Sequence, residues 1–531
     1  MKKLLALVLA VIMVLSMAAC QTKPVETTPP ATQGGNDTPT ESKETEPPKK
    51  DPVTITYWYG GLSELEDTNK VEAKLNEILK TIPGYEYISI DLRPTGSFKK
   101  NFELAMADKE QIDLVASYYL DVSALWKDEA ILPLDDLLEK YPNVTSQIPE
   151  FMVPMGQMYG EQAYIPSAQQ ATTMYFMRFD TAQFEAYLKD NFLTKDQVRD
   201  ILQAGNMKAT LDFFEDYTLW VRAYTGSDKH YAPVCTNLQY FLSMEYIGSD
   251  YGKMIISYPN NKVVWDRMTP EYEYLIGRMA DWYERGLLHK DTTIKFTGEL
   301  GAEDQPVANA TTNVATEEMV DAIQAAANHS YTSIAMRDYY YVPSVYAAGG
   351  TFIYADSKYP EECMMIMELL HTDLHGDEFY NTLCWGLEGE HYKWIDKETK
   401  RIETLEFAGT QGNSSCSYAA WKWQIGNSFN AWKNQAVDDA QNDYINAVHA
   451  DPTTVPSIAL GITWDLEEVD DTVLQLNAIA SEYTDASIYS LGKDYKARFD
   501  EYVQKMKVAG VDLAVKELND QLEDFLAEKA K

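Results

Sequence analysis

The sequence predicts an α/β fold whose first part is a parallel sheet covered by helices, and three observations predict it. Strand-like and helix-like segments alternate strictly across residues 53–116, the order that parallel strands joined by helical crossovers require. The strand-like pieces are short and rich in β-branched and aromatic residues, whereas the helical ones carry apolar residues three and four apart. Residues 53–531, in a chain that is 45% hydrophobic, are enough to bury two lobes or more.

Taken in order, Val53-Thr54-Ile55-Thr56-Tyr57-Trp58-Tyr59 alternates as a strand and stops at Gly60-Gly61. Val71, Leu75, Ile78 and Leu79 share one helical face, and Pro83-Gly84 closes that helix. Residues 88–92 predict a second strand, 98–107 a second helix and 112–116 a short buried strand. A turn and a helix start follow at 130–138. Residues 180–340 are helix-rich and less regular, with patterned stretches at 211–224 and 272–285. Strand and turn composition returns at 342–354 around Gly349-Gly350. Residues 360–371 predict a helix, because Pro360 suits a first turn where its missing N–H is not needed. Val511, Val515, Leu518, Leu522 and Phe525 form one apolar stripe on a terminal helix, which packing explains. There is no internal repeat.

The N-terminal region is read separately. Lys2 and Lys3 precede the uncharged apolar residues 4–17, which are too few to cross a hydrocarbon core of roughly 30 Å and so predict a signal peptide. Ser16-Met17-Ala18-Ala19-Cys20 resembles a bacterial lipobox, although Met17 stands where leucine is usual. The resemblance implies cleavage after residue 19 and lipidation of Cys20, with an ordinary secretory signal as the competing reading. Residues 21–52 contain Pro24, Pro29, Pro30, Pro39, Pro47, Pro48 and Pro52 among Thr, Glu and Lys. Such a segment buries too little surface to offset its ordering entropy and is expected to be an extended tether.

A net charge of −37 argues against a nucleic-acid partner, since a polyanion would be repelled. Beyond Cys20, the cysteines Cys235, Cys363, Cys384 and Cys416 show no C-x-x-C spacing, so zinc and thioredoxin-like motifs are absent. Their disulfide state stays open, with a buried thiol expected at Cys363 in its apolar helix. The histidines, among them His230, His289, His375 and His391, never take H-E-x-x-H spacing, and no metal or cofactor is expected. No nucleophile elbow, Walker loop or dinucleotide fingerprint is present, so no catalytic residue is nominated. With 82 acidic residues, a glycosidase-like carboxylate pair is a matter of geometry and not of abundance.

Three stretches are similar to one family. Asn101 to Ala107 with Ile112-Asp113-Leu114-Val115 and Leu132-Pro133-Leu134-Asp135 is the first. Phe379-Tyr380-Asn381-Thr382-Leu383-Cys384-Trp385-Gly386-Leu387-Glu388-Gly389-Glu390-His391-Tyr392 is the second, and residues 502–525 with Ala509-Gly510-Val511-Asp512 are the third. Together they resemble extracellular solute-binding protein family 1, the sugar-type receptors of ABC importers, and within it the LipO-like lipoproteins with a characteristic C-terminal region. The resemblance implies a two-lobed periplasmic-binding-protein-like (type II) fold, each lobe a mostly parallel sheet flanked by helices, with extra C-terminal helices. It implies a signal peptide at 1–19, a lipidated Cys20 and tether at 20–52, and a first lobe beginning at 53–170. A second lobe at 171–342, a return to the first at 343–420, and a helical region at 421–531 completing the second lobe and hinge would follow.

The same resemblance implies a monomer that is lipid-anchored to the cell membrane and faces outward. Its partners would be membrane permease subunits and a solute, with an oligosaccharide expected. In open α/β sheets ligands sit beyond the carboxyl ends of the strands, which nominates Trp58, Tyr59, Tyr118, Tyr119 and Tyr164. The chain holds 36 Tyr and 11 Trp, and an aromatic ring matches the apolar face of a sugar while Tyr O–H or Trp N–H meets its rim. On that ground Trp385, Trp423 and Asn427 are added, the last two from the run Trp421-Lys422-Trp423-Gln424-Ile425-Gly426-Asn427-Ser428-Phe429-Asn430-Ala431-Trp432. Asp121, Arg178 and Glu388 are further hydrogen-bonding candidates. Core packing is the competing role for each aromatic. The competing functions are a surface enzyme acting on polysaccharide and a peptide receptor.

Overall fold

β1 (Val53–Gly60) is joined by α1 (Thr68–Leu79) to β2 (Ile88–Thr95), and the two strands run parallel from Val53 opposite Ile88 to Gly60 opposite Thr95. α1 buries Val71, Leu75, Ile78 and Leu79, the stripe its spacing predicts. α2 (Phe98–Ala107) leads to β3 (Leu114–Ala116), which lies parallel on the other side of β1. Asp113, just before β3, is buried but satisfied: its carboxylate accepts the Thr56 N–H at 2.9 Å and the Ser357 hydroxyl at 2.6 Å. α3 (Val122–Lys127) follows, and β4 (Ile165–Pro166) forms the far edge of this sheet. The computed structural model describes residues 50–529 apart from 62–63, 249–252, 259, 293–295, 297, 326–328, 340, 343–348, 406–416, 419 and 435–437. Cys20, the expected signal peptide, the tether up to residue 49 and Cys416 lie outside the described residues.

After a first crossing the chain enters the second lobe as β5 (Met174–Asp180). β6 (Ala308–Asn313) and β7 (Tyr331–Ala335) flank β5, both antiparallel to it. The helix Glu317–Gln324 joins these two flanking strands, so they form one crossover unit with β5 running the opposite way between them. The expectation of a mostly parallel sheet in each lobe is therefore corrected for the second lobe. A strand arriving from the hinge satisfies both its edges by slotting into a later crossover, which periodicity cannot reveal.

β8 (Tyr341–Val342) leads back to the first lobe, where β9 (Gly350–Ile353) inserts antiparallel between β3 and β4. The Gly349-Gly350 pair is required there. A Cβ on Gly349, at φ +61°, would lie 2.3 Å from Ser117 Oγ, and one on Gly350 2.2 Å from the Ile165 carbonyl. Tyr418, Ala420, Ile425, Ala431 and Trp432 all belong to the first lobe's core, so its return runs past residue 420. Trp432 is held there by its N–H donating to Asn381 Oδ1 at 2.6 Å and its indole N–H to Asp377 at 3.0 Å. α4 (Asp438–Ala450) makes the third crossing, and β10 (Val455–Pro456) pairs in parallel with β8.

The C-terminal helices, ending in α5 (Val511–Lys529), complete the second lobe's core with Trp265, Tyr272 and Trp282. Polar contacts fix the docking. The Trp265 indole N–H donates to Tyr502 Oη at 2.8 Å, Arg267 donates to the Ala480 and Tyr483 carbonyls, and it pairs with Asp485 at 2.8 Å. Among the described residues no helix is long and apolar enough to cross a membrane.

One core residue makes a pH prediction. His371 ends the helix Pro360–His371, fully buried with neither ring nitrogen bonded among the described residues, and burial pushes its pKa down from 6.5 to about 3. Below pH 6.5 the unfolded chain takes up a proton that the folded chain refuses, so this group costs stability progressively as pH falls toward 3 and nothing above pH 6.5. His371→Leu is expected to keep its stability at neutral pH and to flatten the decline of the urea midpoint in mild acid. An unchanged pH slope in the variant would show that His371 accepts its proton without unfolding.

Candidate ligand-binding site

β1 and β3 bring their carboxyl ends side by side. β3 is followed by Ser117, Tyr118 and Tyr119, and Ser117 is fastened to the returning strand. Its N–H donates to the Gly350 carbonyl at 2.7 Å and its Oγ accepts the Gly350 N–H at 2.8 Å. Tyr119 adopts φ +75° and is 52% exposed. A left-handed backbone costs a non-glycine residue of order 1–3 kcal/mol, and strain of this kind concentrates at functional sites.

A distant segment, residues 420–425, lies over this edge. The Gln424 amide donates to the Gly60 carbonyl at 2.8 Å, pinning the segment to the end of β1. Gly61 sits at φ +127°, where a Cβ would meet the Trp421 indole at 3.2 Å. The outcome is a corner of four rings. Trp421 and Trp423 stack with centroids 5.5 Å apart and planes 16° apart. Tyr118 stands edge-on to both, at 4.7 Å from Trp423 and 6.3 Å from Trp421. Tyr119 packs on Tyr118 at 4.2 Å and on Trp421 at 6.0 Å.

Exposure rises across the corner, from buried Trp421 through half-buried Tyr118 and Trp423 to exposed Tyr119. Partial burial and the neighbouring Tyr119 raise the Tyr118 pKa, so its phenol remains a neutral donor. The Trp421 indole N–H is buried and has no partner among the described residues. Such a corner suits a flat ligand with an apolar face and a polar rim.

The other nominated residues lie elsewhere. Trp58, 7% exposed, and Tyr164 sit in one core of the first lobe with Phe98, Phe102 and Phe352, and the Tyr164 hydroxyl donates to the Met155 carbonyl at 2.7 Å. Tyr59 and Trp385 are buried in the core on the opposite face of the sheet. Asn427 is buried and donates to the Gln147 and His371 carbonyls at 3.1 and 3.2 Å, a packing role. Asp121 caps α3, Arg178 bonds Asn309 and Gln324 within the second lobe, and Glu388 pairs with Lys397 at the surface.

The structure thus gathers Tyr118, Tyr119 and Trp423 and adds Trp421, which the sequence run contained but did not single out. Its signal was the W-x-W spacing beside Tyr118-Tyr119, two aromatic pairs meeting across a large sequence gap.

The glycine-rich segment after Trp385 proves to be a structural turn. Gly386 holds φ +76° with ψ −135°, and a Cβ there would lie 2.5 Å from His391 Nδ1. That nitrogen accepts the Leu387 N–H at 2.9 Å, and His391 Nε2 faces Asp67 at 3.2 Å, tying the turn to the start of α1. Cys235, Cys363 and Cys384 are free and buried, and burial pushes the Cys235 and Cys384 thiols up to about 12. Among the described residues no group of three or more His, Cys, Asp or Glu side chains is placed to hold a metal ion.

Two lobes with separate cores, crossed by the chain more than once, form a fold shared with solved solute-binding proteins. In particular, the chain is similar to the N-glycan transport solute binding protein NgtS from Streptococcus pneumoniae. That likeness covers 90% of this chain and 100% of the other at 16% identity, with a TM-score of 0.70. The same protein in complex with Man1GlcNAc matches 89% of this chain and 99% of its own at 16% identity, with a TM-score of 0.64. An HMO-binding, ABC-transporter-associated solute-binding protein from Bifidobacterium longum infantis matches 90% of this chain and 99% of its own at 13% identity, TM-score 0.56. Within the chain, residues 458–527 match a domain of unknown function, DUF3502, the stretch that closes the second lobe's core. No curated protein matches the sequence.

Proposed function

We propose that this chain is the extracellular, lipid-anchored receptor of an ABC importer and that it captures an oligosaccharide between its lobes. The observation that carries the reading is the corner of Tyr118, Tyr119, Trp421 and Trp423 at the carboxyl ends of β1 and β3. A pyranose ring laid on the half-buried indole covers its C–H face, while the phenol and indole donors meet hydroxyls at the rim. The fold neighbours, whose names refer to glycan transport and HMO binding, support the choice of ligand class. The lobes already meet through Lys127 Nζ and Asp465 Oδ1 at 2.5 Å. A ligand touching both lobes would favour closure in proportion to the contacts it makes only in the closed state.

The test is a thermal-shift and calorimetric screen against oligosaccharides. A bound solute at one hundred times its dissociation constant adds about 2.7 kcal/mol and raises the melting temperature. Turnover of the glycan would replace the receptor by an enzyme, and selective stabilisation by oligopeptides would replace the sugar by a peptide.

The membrane attachment belongs to the same reading. Cys20→Ala is expected to release the protein from the membrane fraction or leave it unprocessed, because one acyl chain alone anchors only marginally and a diacylated cysteine is needed for stable attachment. Membrane fractionation identical to that of the natural sequence would refute lipidation at Cys20.

A further inference from the structure

We propose that the cavity behind Trp423 is a second saccharide subsite, taking a neutral hexose ring linked to the ring that rests on the Trp421–Trp423–Tyr118 corner. This inference rests on the oligosaccharide reading and extends it to the length and charge of the ligand.

The cavity has a volume of about 150 Å³ and is walled by three separate stretches of chain: Gln169 and Gln170 from the first crossing, Lys422 and Trp423, and Gln441 and Asn442 from α4. At roughly 30 Å³ per water it holds about five, a cluster that a single sugar ring can displace. Trp423 belongs to both places, stacking on Trp421 and lining the cavity, so the two positions adjoin.

Several polar groups around the cavity are unspent. The side-chain amides of Gln169, Gln170 and Asn442 and the Trp423 indole N–H make no hydrogen bond among the described residues. Gln441 uses its amide N–H on Asn313 at 2.6 Å. A carboxamide offers a donor and an acceptor together, which matches a hydroxyl, itself both.

Charge selects against an acidic sugar. Lys433 lines the same cavity but is paired with Asp439, the Lys422 ammonium lies over the Trp385 ring at 5.2 Å, and Asp438 adds a carboxylate to the wall. A uronate would meet the Asp438 and Asp439 carboxylates together with the two lysines, whereas the half-buried amides suit a neutral polyol.

The test uses the whole chain purified in detergent and calorimetric titration with glucose, neutral gluco-, manno- and xylo-oligosaccharides of two to five rings, and galacturonate oligomers. At least one neutral series is expected to gain tenfold or more in affinity between the shortest bound ligand and one a ring or two longer. The Gln170→Ala/Asn442→Ala double variant is expected to erase that gain, about tenfold for two lost hydrogen bonds, and to keep the affinity of the shortest bound ligand within twofold. Gln170→Ala alone, expected to show part of the loss, serves if the double variant melts abnormally. Trp423→Ala is expected to weaken every length. Wild-type affinity of the double variant for all lengths, or tighter binding of galacturonate than of neutral oligomers, would overturn the subsite while leaving the receptor reading in place. Failure of every saccharide to bind the natural sequence would instead remove both.

Discussion

Trp58→Ala is expected to lower stability by about 3–5 kcal/mol, the scale for emptying a core site of a large aromatic, with any effect on ligand affinity secondary. Trp58 is 7% exposed and meets Phe102 edge-on at 6.3 Å, so its removal leaves a cavity among rings that cannot collapse into it. Trp423→Ala is expected to do the reverse. The Trp423 ring is half-buried at the rim of the corner, and its loss should weaken oligosaccharide binding by at least about 30-fold, as for a central anchor contributing 2 kcal/mol or more. Urea unfolding and calorimetric titration of both variants separate the two roles. A destabilised Trp423→Ala protein with full affinity, or a stable Trp58→Ala protein that no longer binds, would reverse the assignment.

Removal of residues 511–531 is expected to prevent the second lobe from folding. α5 buries Val511, Leu518 and Leu522 against the lobe, and each large side chain contributes about 1.5–3 kcal/mol. Their sum rivals the whole stability of an ordinary domain, about 5–15 kcal/mol. The helix also satisfies a strand edge, since Asn519 accepts the Val263 N–H at 3.0 Å and donates to the Val263 carbonyl at 2.8 Å. Truncated protein should be proteolysed within the second lobe and should lose its cooperative unfolding transition. An unchanged urea midpoint would mean that the helix is an accessory layer. The match of residues 458–527 to a domain of unknown function thus coincides with a segment that has a structural task.

Much of the first lobe was legible because its signals are local. The Val71–Leu75–Ile78–Leu79 stripe, the strand ending at Gly60-Gly61 and the helix begun by Pro360 depend on residues within one or two turns of each other, and the structure places each of them as the spacing implies. Gly349-Gly350 was visible as a turn, but not as the point where a late strand squeezes between two early ones. The antiparallel setting of β5 was illegible for a related reason: its partners begin at Ala308 and Tyr331, and no periodicity spans such a gap.

By itself the sequence determined the class of elements, the apolar faces of the helices, the acidic surface and the pool of aromatic residues from which a site can be made. Only the tertiary structure decided which aromatics are spent on packing. Trp58 and Tyr59 close a strand that alternates like a half-exposed one, yet a central strand in a sheet covered on both sides buries both of its faces. Trp58 therefore enters the core with Phe102 and Tyr59 the core on the opposite side. Trp421 and Trp423 are the same residue type, but their segment crosses the end of the sheet, where Trp423 stays half-buried. Burial is a property of what arrives from elsewhere in the chain, and for these rings the deciding neighbours lie from about forty residues away, as Phe102 from Trp58, to about three hundred, as Tyr118 from Trp421.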